Sequence, residues 1–178
     1  MGIATFPEPS VSGGKILKRL TLTSGTSWTV PSGVTDIKVT LYGGGGGGGG
    51  AAFNSGSSPQ TGGTGGTTTF TGATSATGGN GGVGAPHQGG NSYYSIHTSA
   101  SATANTGKGG QGGFATDNGI GASTKGDDGY DGTVIFSTLT VTPGQSIGYS
   151  IGAGGTAGSS HSAAGAGGSG KIEIEYWV

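Results

Sequence analysis

Three carboxylates in the string KGDDGYDG, Asp127, Asp128 and Asp131, fall within five positions, and oxygen ligands at that density suit a hard cation such as calcium. The string lacks the full spacing and final Glu of an EF-hand, so a solvated turn with Lys125 alongside is the plainer expectation. Paired carboxylates also serve glycoside hydrolysis, but so short a chain suggests no long aromatic-lined groove, and no catalytic residue is assigned. His87, His97 and His161 are far apart, with no HxH or HExxH pair; only a threefold axis could gather one from each of three copies around a metal. Residues 165–171, GAGGSGK, match phosphate-loop spacing as far as Lys171, yet Ile172 stands where Ser or Thr should hold magnesium, and a terminal strand replaces the required helix. With Gly at a frequency of about 0.26, about three GxGxxG matches arise by chance. No cofactor is expected, and the chain reads as a non-enzyme.

Recognition chemistry is better represented. Tyr93, Tyr94, Ile96 and His97 form the richest aromatic group of the middle region, between charge-free, glycine-rich flanks. Tyrosine supplies a large rigid contact area with a hydrogen-bonding tip at low entropic cost. Phe53, Asn54, Phe114, Tyr130 and His161 lie in the other side-chain-bearing stretches and are expected to share a surface with that group. The competing reading is that these rings cap the fold. Lys15, Lys18 and Arg19 read as a solvated strand face or as contacts to a neighbouring subunit.

Composition bounds what could position these residues. The chain has 178 residues, 46 of them Gly, and a net charge of −1 from 7 basic and 8 acidic side chains. That balance offers no basic surface for a phosphate backbone, so no nucleic acid is expected. No apolar run approaches the ~20 residues needed to span a bilayer. The opening MGIATFPEPS has neither the basic start nor the apolar stretch of a signal peptide, so synthesis in a cytoplasm without membrane insertion is expected. The absence of Cys excludes a disulfide scaffold and a thiolate site. Glycine this abundant, with few large aliphatic residues, is the composition of disorder, but disorder through charge repulsion needs far more net charge.

The apolar residues draw the architecture. Residues 1–42 hold 12 of the 28 Leu, Ile, Val and Phe, residues 133–178 hold 10, and the 90 between hold 6. Leu20 and Leu22 alternate with Thr21 and Thr23; Trp28 and Val30 precede a Pro31-Ser32-Gly33 turn; Ile37, Val39 and Leu41 alternate with Lys38, Thr40 and Tyr42. Toward the other end, Val134 and Phe136, Leu139 and Val141, and Ile147, Tyr149 and Ile151 repeat the alternation around a Pro143-Gly144 turn. Finally, Ile172, Ile174 and Tyr176 share one face, with Glu173, Glu175 and Trp177 on the other. Period two means strands, and no 3.6-residue stripe occurs. The expected fold is all-β with essentially no α-helix: about six strands from 20–42 and 133–178 packed as a small antiparallel β-sandwich. It forms a single domain over 1–178, with 1–20 as a candidate attachment segment and 43–132 as a glycine-rich insertion.

Residues 43–170 hold 41 of the 46 Gly, and 43–107 contain no Asp, Glu, Lys or Arg. Glycine runs alternate there with segments that carry side chains. Ordering such runs demands backbone partners, because glycine loses the most conformational freedom on folding. Polyproline II helices, with three residues per turn and no internal hydrogen bonds, point their N–H and C=O groups sideways and can bundle where only Gly fits the contact lines. Residues 43–50 would then span about 25 Å at ~3.1 Å per residue, with the side-chain-bearing segments displayed at the bundle ends. The alternatives are β-hairpins with glycine-rich irregular loops and a linker ordered by its neighbours. As a function, ice binding by such a bundle is the weaker reading, since a strict Gly-x-x repeat is not kept.

The string WTVPSGVTDIKVTLYGGGGGGGG at 28–50, followed by VTPGQSIGYSIGAGG at 141–155 and the closing GSGKIEIEYWV, resembles the glycine-rich domain of bacteriophage tail and tail-fibre proteins. The alternation of glycine runs with side-chain-bearing segments is similar to that of tail-fibre tip adhesins built as polyglycine sandwiches. The resemblance implies a virion protein of the tail or fibre. Its expected partners are other virion subunits, a bacterial receptor (lipopolysaccharide or an outer-membrane protein) and, from fibre symmetry, two further copies in a homotrimer. A purely structural virion module with no receptor role is the alternative.

Overall fold

The computed structural model describes residues 14–52, 58–86, 94–97, 99–117 and 124–178, with the backbone alone of 94–97, 116 and 117. The first end forms β1 (Leu17–Leu22), β2 (Ser27–Thr29) and β3 (Asp36–Tyr42). The middle adds β4 (Thr69–Phe70), β5 (Tyr94–His97), β6 (Phe114–Asp117) and β7 (Thr124–Lys125). The second end supplies β8 (Val134–Thr140), β9 (Ser146–Ser150) and β10 (Lys171–Trp177). The fold is all-β, with no helix among the described residues. The six end strands follow the alternation of the sequence, and the four middle strands are additional to it.

The end strands, with β4 from the middle, fall into two antiparallel sheets, β1-β10-β3-β8 and β2-β9-β4. One apolar core takes Ile37, Val39, Leu41, Ile172 and Ile174 from the first and Ile147, Tyr149 and Phe70 from the second, with Val30, Val34 and Val141 from the connections. The Trp28 ring lies 6.4 Å from Phe70 and 5.9 Å from Tyr176, tilted against both. Gly33 at φ +78° and Gly144 at φ +80° supply the left-handed residues of the two Pro-containing turns. Pairing with β3 settles the phase of β8. Ile135 and Leu139 pack against the core, whereas Val134 and Phe136 face outward, Phe136 with 77 % of its surface exposed. Two adjacent apolar pairs, 134/136 and 139/141, lie on opposite phases in the sequence, and the pleat of a continuous strand can honour only one.

Residues 43–50 continue directly from β3 and are buried throughout. The N–H groups of Gly43, Gly46 and Gly49 donate to the carbonyls of Thr133, Tyr130 and Asp127; those of Gly44, Gly47 and Gly50 donate to Gly66, Gly63 and Gln60; Gly45 and Gly48 donate to Gly168 and Gly165. In the other direction, the carbonyls of Gly44 and Gly47 accept from Gly79 and Gly82, those of Gly45 and Gly48 from Gly155 and Gly158, and those of Gly46 and Gly49 from Gly110 and Gly113. Every register advances by three, the repeat of the polyproline II helix. Residues 43–50 are thus the axis of a bundle, ringed among the described residues by six segments: 60–66, 77–85, 126–133, 107–113, 162–170 and 152–159, in that order.

Neighbours in the ring run antiparallel and are bonded to each other, as in Gly62 to Gly82, Tyr130 to Asn80, Gly129 to Gly110, Gly168 to Lys108, Gly167 to Gly155 and Gly63 to Thr156. The axis tolerates no side chain. A Cβ on Gly46, Gly47 or Gly48 would lie on the backbone carbonyls of Asn80, Thr156 and Gln111. Outward positions recur every third residue and carry side chains: Thr61 and Thr64; Thr77, Asn80 and Val83; Lys108 and Gln111; Ala153, Thr156 and Ser159. Residues 99–104 lie outside the ring, where Ala100 accepts from Gln111 N–H and Ala102 donates to Ala166.

Candidate functional site

The bundle has two ends of different character, because its segments are extensions of strands. The axis follows β3, 152–159 follows β9, 126–133 precedes β8 and 162–170 precedes β10. Where sheets and bundle meet, the buried Thr68 Oγ1 donates to the Tyr42 carbonyl at 2.7 Å and accepts the Gly152 N–H at 2.9 Å. That hydroxyl joins three chain segments at the point where strand geometry gives way to threefold geometry.

At the distal end the axis finishes in Ala51, which is bridged to Ala85 on one side and to Ser162 on the other. The β6 strand begins one residue beyond Gly113 and β7 ends one residue before Gly126, so this hairpin stands on the distal end of two ring segments. β5 adds to it, giving the antiparallel order β5-β6-β7. The register sets His97 opposite Phe114 and Tyr94 opposite Asp117. Buried Ser162 fastens the hairpin to the bundle: its Oγ donates to the Phe114 carbonyl at 2.9 Å and accepts the Phe114 N–H at 3.0 Å. Its chain neighbour His161 is exposed.

Four of the residues singled out by type thus gather at one end: Tyr94 and His97 on β5, Phe114 on β6, and His161 beside the Ser162 fastener. Tyr94, His97 and Phe114 lie in strands rather than in the display loops expected of them. Phe53, Asn54, Tyr93 and His87 fall outside the described residues. Tyr130 separates from the group. Its carbonyl accepts from Gly46, midway along the axis, and its side chain is 66 % exposed on the flank of the bundle. The reason is periodic: Gly126, Gly129 and Gly132 make 126–133 a ring segment, so Tyr130 occupies an outward position instead of an end loop.

The three aspartates lie on that same segment. Asp131 accepts the Gly109 N–H at 2.9 Å and pairs with Lys108 Nζ at 2.6 Å; Asp128 accepts the Gly112 N–H at 2.7 Å and pairs with Lys125 Nζ at 3.0 Å. Asp127 uses its carbonyl in the bundle and exposes its side chain. The Gly112 N–H, helped by Lys125, holds the Asp128 carboxyl below the usual carboxylate range, and Lys108, helped by the Gly109 N–H, does the same for Asp131. Two of the three calcium candidates therefore clip outward-facing amides of the next ring segment. Among the described residues no group of three or more His, Cys, Asp or Glu is gathered to hold a metal, and no helix is long and apolar enough to cross a membrane.

Ser162, Thr68 and the outer segment 99–104 were not singled out by residue type. A lone Ser or Thr among dozens in polar sequence carries no local signal. Comparison with protein-family models returned no match, and comparison with curated proteins returned none.

Proposed function

We propose that the chain is a non-enzymatic bacteriophage virion protein, a tail-fibre or tail-tip component that binds the host cell surface through the distal end of its glycine bundle. The observation that carries this reading is the convergence of Tyr94, His97, Phe114 and His161, from sequence positions up to 67 apart, at the end remote from the core sheets. A bundle held by backbone hydrogen bonds is a rigid post, and rigidity beneath a recognition surface limits the entropy lost on binding. Aromatic rings and imidazoles suit stacking on sugar faces and hydrogen bonding to hydroxyls, the chemistry of lipopolysaccharide, and suit the exposed segments of outer-membrane proteins equally. The strings at 28–50, 141–155 and 168–178 support the virion assignment by resemblance.

The test is binding of the labelled full chain to a panel of bacterial strains, with Tyr94→Ala and His161→Ala as tip variants and Tyr130→Ala as a flank control. Saturable binding to some strains, reduced at least tenfold by the tip variants and unchanged by the control, is the expected result. Loss of particle assembly in the tip variants, with no cell binding by the wild-type chain, would overturn it in favour of a purely structural module.

A further inference from the structure

The two edges of the β1-β10-β3-β8 sheet are chemically opposite. β1 is protected. Lys18 pairs with Tyr176 and shares the core-side face with Leu20 and Leu22, while Arg19 faces outward and pairs with Glu175 at 2.7 Å. An inward-pointing lysine on an edge strand deters a further strand from adding. β8, with the sequence VIFSTLT, has no charge, no Pro and no Gly over seven residues, and among the described residues it is paired on one side only. Its core-side residues Ile135 and Leu139 are incompletely buried, and its outer face leaves Phe136 77 % exposed beside Thr138. Such an edge lacks the usual devices against pairing.

We propose that β8 is a homodimerisation edge, occupied by β8 of a second copy in antiparallel register about a twofold axis at Ser137. That register sets Ile135 opposite the second copy's Leu139, extending each core across the seam, and Phe136 opposite Thr138, covering the exposed ring. Val134 then faces Thr140, and no charge meets a like charge anywhere along the strand. The alternative of β8 docking on β1 of another copy would propagate as an open filament, and Lys18 stands against it. The isologous pairing closes after two copies and uses the unprotected edge twice, in place of the homotrimer expected from fibre symmetry.

Sedimentation velocity of the full chain at micromolar concentration tests this. A species of twice the chain mass is expected for the wild type. The double variant Phe136→Lys, Thr138→Lys, whose substitutions lie on the exposed outer face, is expected at single-chain mass with an unchanged far-ultraviolet spectrum. Mixing it with the double variant Phe136→Glu, Thr138→Glu is expected to restore the doubled mass. A wild type that is monomeric or trimeric, a lysine variant that stays dimeric, or a mixture that fails to reassociate would each overturn the proposal. Cell binding does not enter the readout, so the dimer and the adhesin reading stand or fall separately.

Discussion

Asp128 accepts the Gly112 N–H at 2.7 Å. Three residues along, Asp131 accepts the Gly109 N–H at 2.9 Å, so the two carboxylates climb one ring segment of the bundle in step with the amides of the next. Both carboxyls are held below their ordinary range in the folded chain. Their contribution is therefore fully present above the unfolded value of about 3.9 and disappears as pH falls through the depressed folded values. Each carboxylate is more than half exposed, so about 0.2–1 kcal/mol apiece is the expected scale. Thermal melts from pH 7 to pH 2.5 should show an acid loss that is smaller in Asp128→Asn, Asp131→Asn, because Asn keeps an acceptor for the amide and does not titrate in this range.

The axis should be the least tolerant part of the chain. Gly46→Ala places a methyl on the Asn80 carbonyl, a backbone atom that cannot rotate away, and the ring must part to admit it. A loss of more than about 3 kcal/mol is expected, at or beyond the upper end of ordinary overpacking. Gly14→Ala, where a Cβ meets nothing within 4 Å, is the neutral comparison. Urea midpoints of the two variants check the contrast.

Thr68→Val keeps the shape of a buried side chain and removes its hydroxyl. The Tyr42 carbonyl and the Gly152 N–H then lose their shared partner, for an expected cost of about 2–4 kcal/mol. Thr68→Ser should retain most of the stability. Denaturant unfolding of the three chains separates the hydroxyl from the methyl.

Amide exchange offers a direct reading of the threefold packing. In 60–66 the N–H groups of Gln60, Gly62, Gly63, Gly65 and Gly66 are bonded within the bundle, while Thr61 and Thr64 face outward. Exchange measured by NMR should follow that two-to-one rhythm, with Thr61 and Thr64 fast and their glycine neighbours slow. The residues of 43–50 should be uniformly slow. Uniform exchange along 60–66 would contradict the register.

The strands at both ends were legible because Ile37, Val39 and Leu41, or Ile172 and Ile174, alternate cleanly with polar neighbours. β8 was legible as a strand but not in its phase, since Val134 and Phe136 mimic an inward face and only pairing with β3 decides the matter. The glycine bundle could be anticipated from the run at 43–50. Its ring assignment was harder, because the whole chain keeps no strict repeat while individual runs do: side chains at 61, 64 and 67 and at 77, 80 and 83 mark local Gly-Gly-x patterns, and those at 153, 156 and 159 mark one in which Ala157 replaces a Gly. Residue type alone groups Tyr130 with the tip, and its place in ring segment 126–133 sets it on the flank. β5 to β7 are two to four residues long, too short to show an alternation, and hold their shape through pairing with one another.

The bundle's makeup governs how its stability varies with temperature. Its interior is peptide backbone packed on peptide backbone, with the apolar core confined to the sheets. Exposing polar surface lowers the heat capacity of unfolding, whereas exposing apolar surface raises it. For its length this chain should therefore unfold with a heat-capacity increment well below the ~12–15 cal/mol/K per residue of ordinary globular domains, and its stability should change only slowly between cold and warm surroundings.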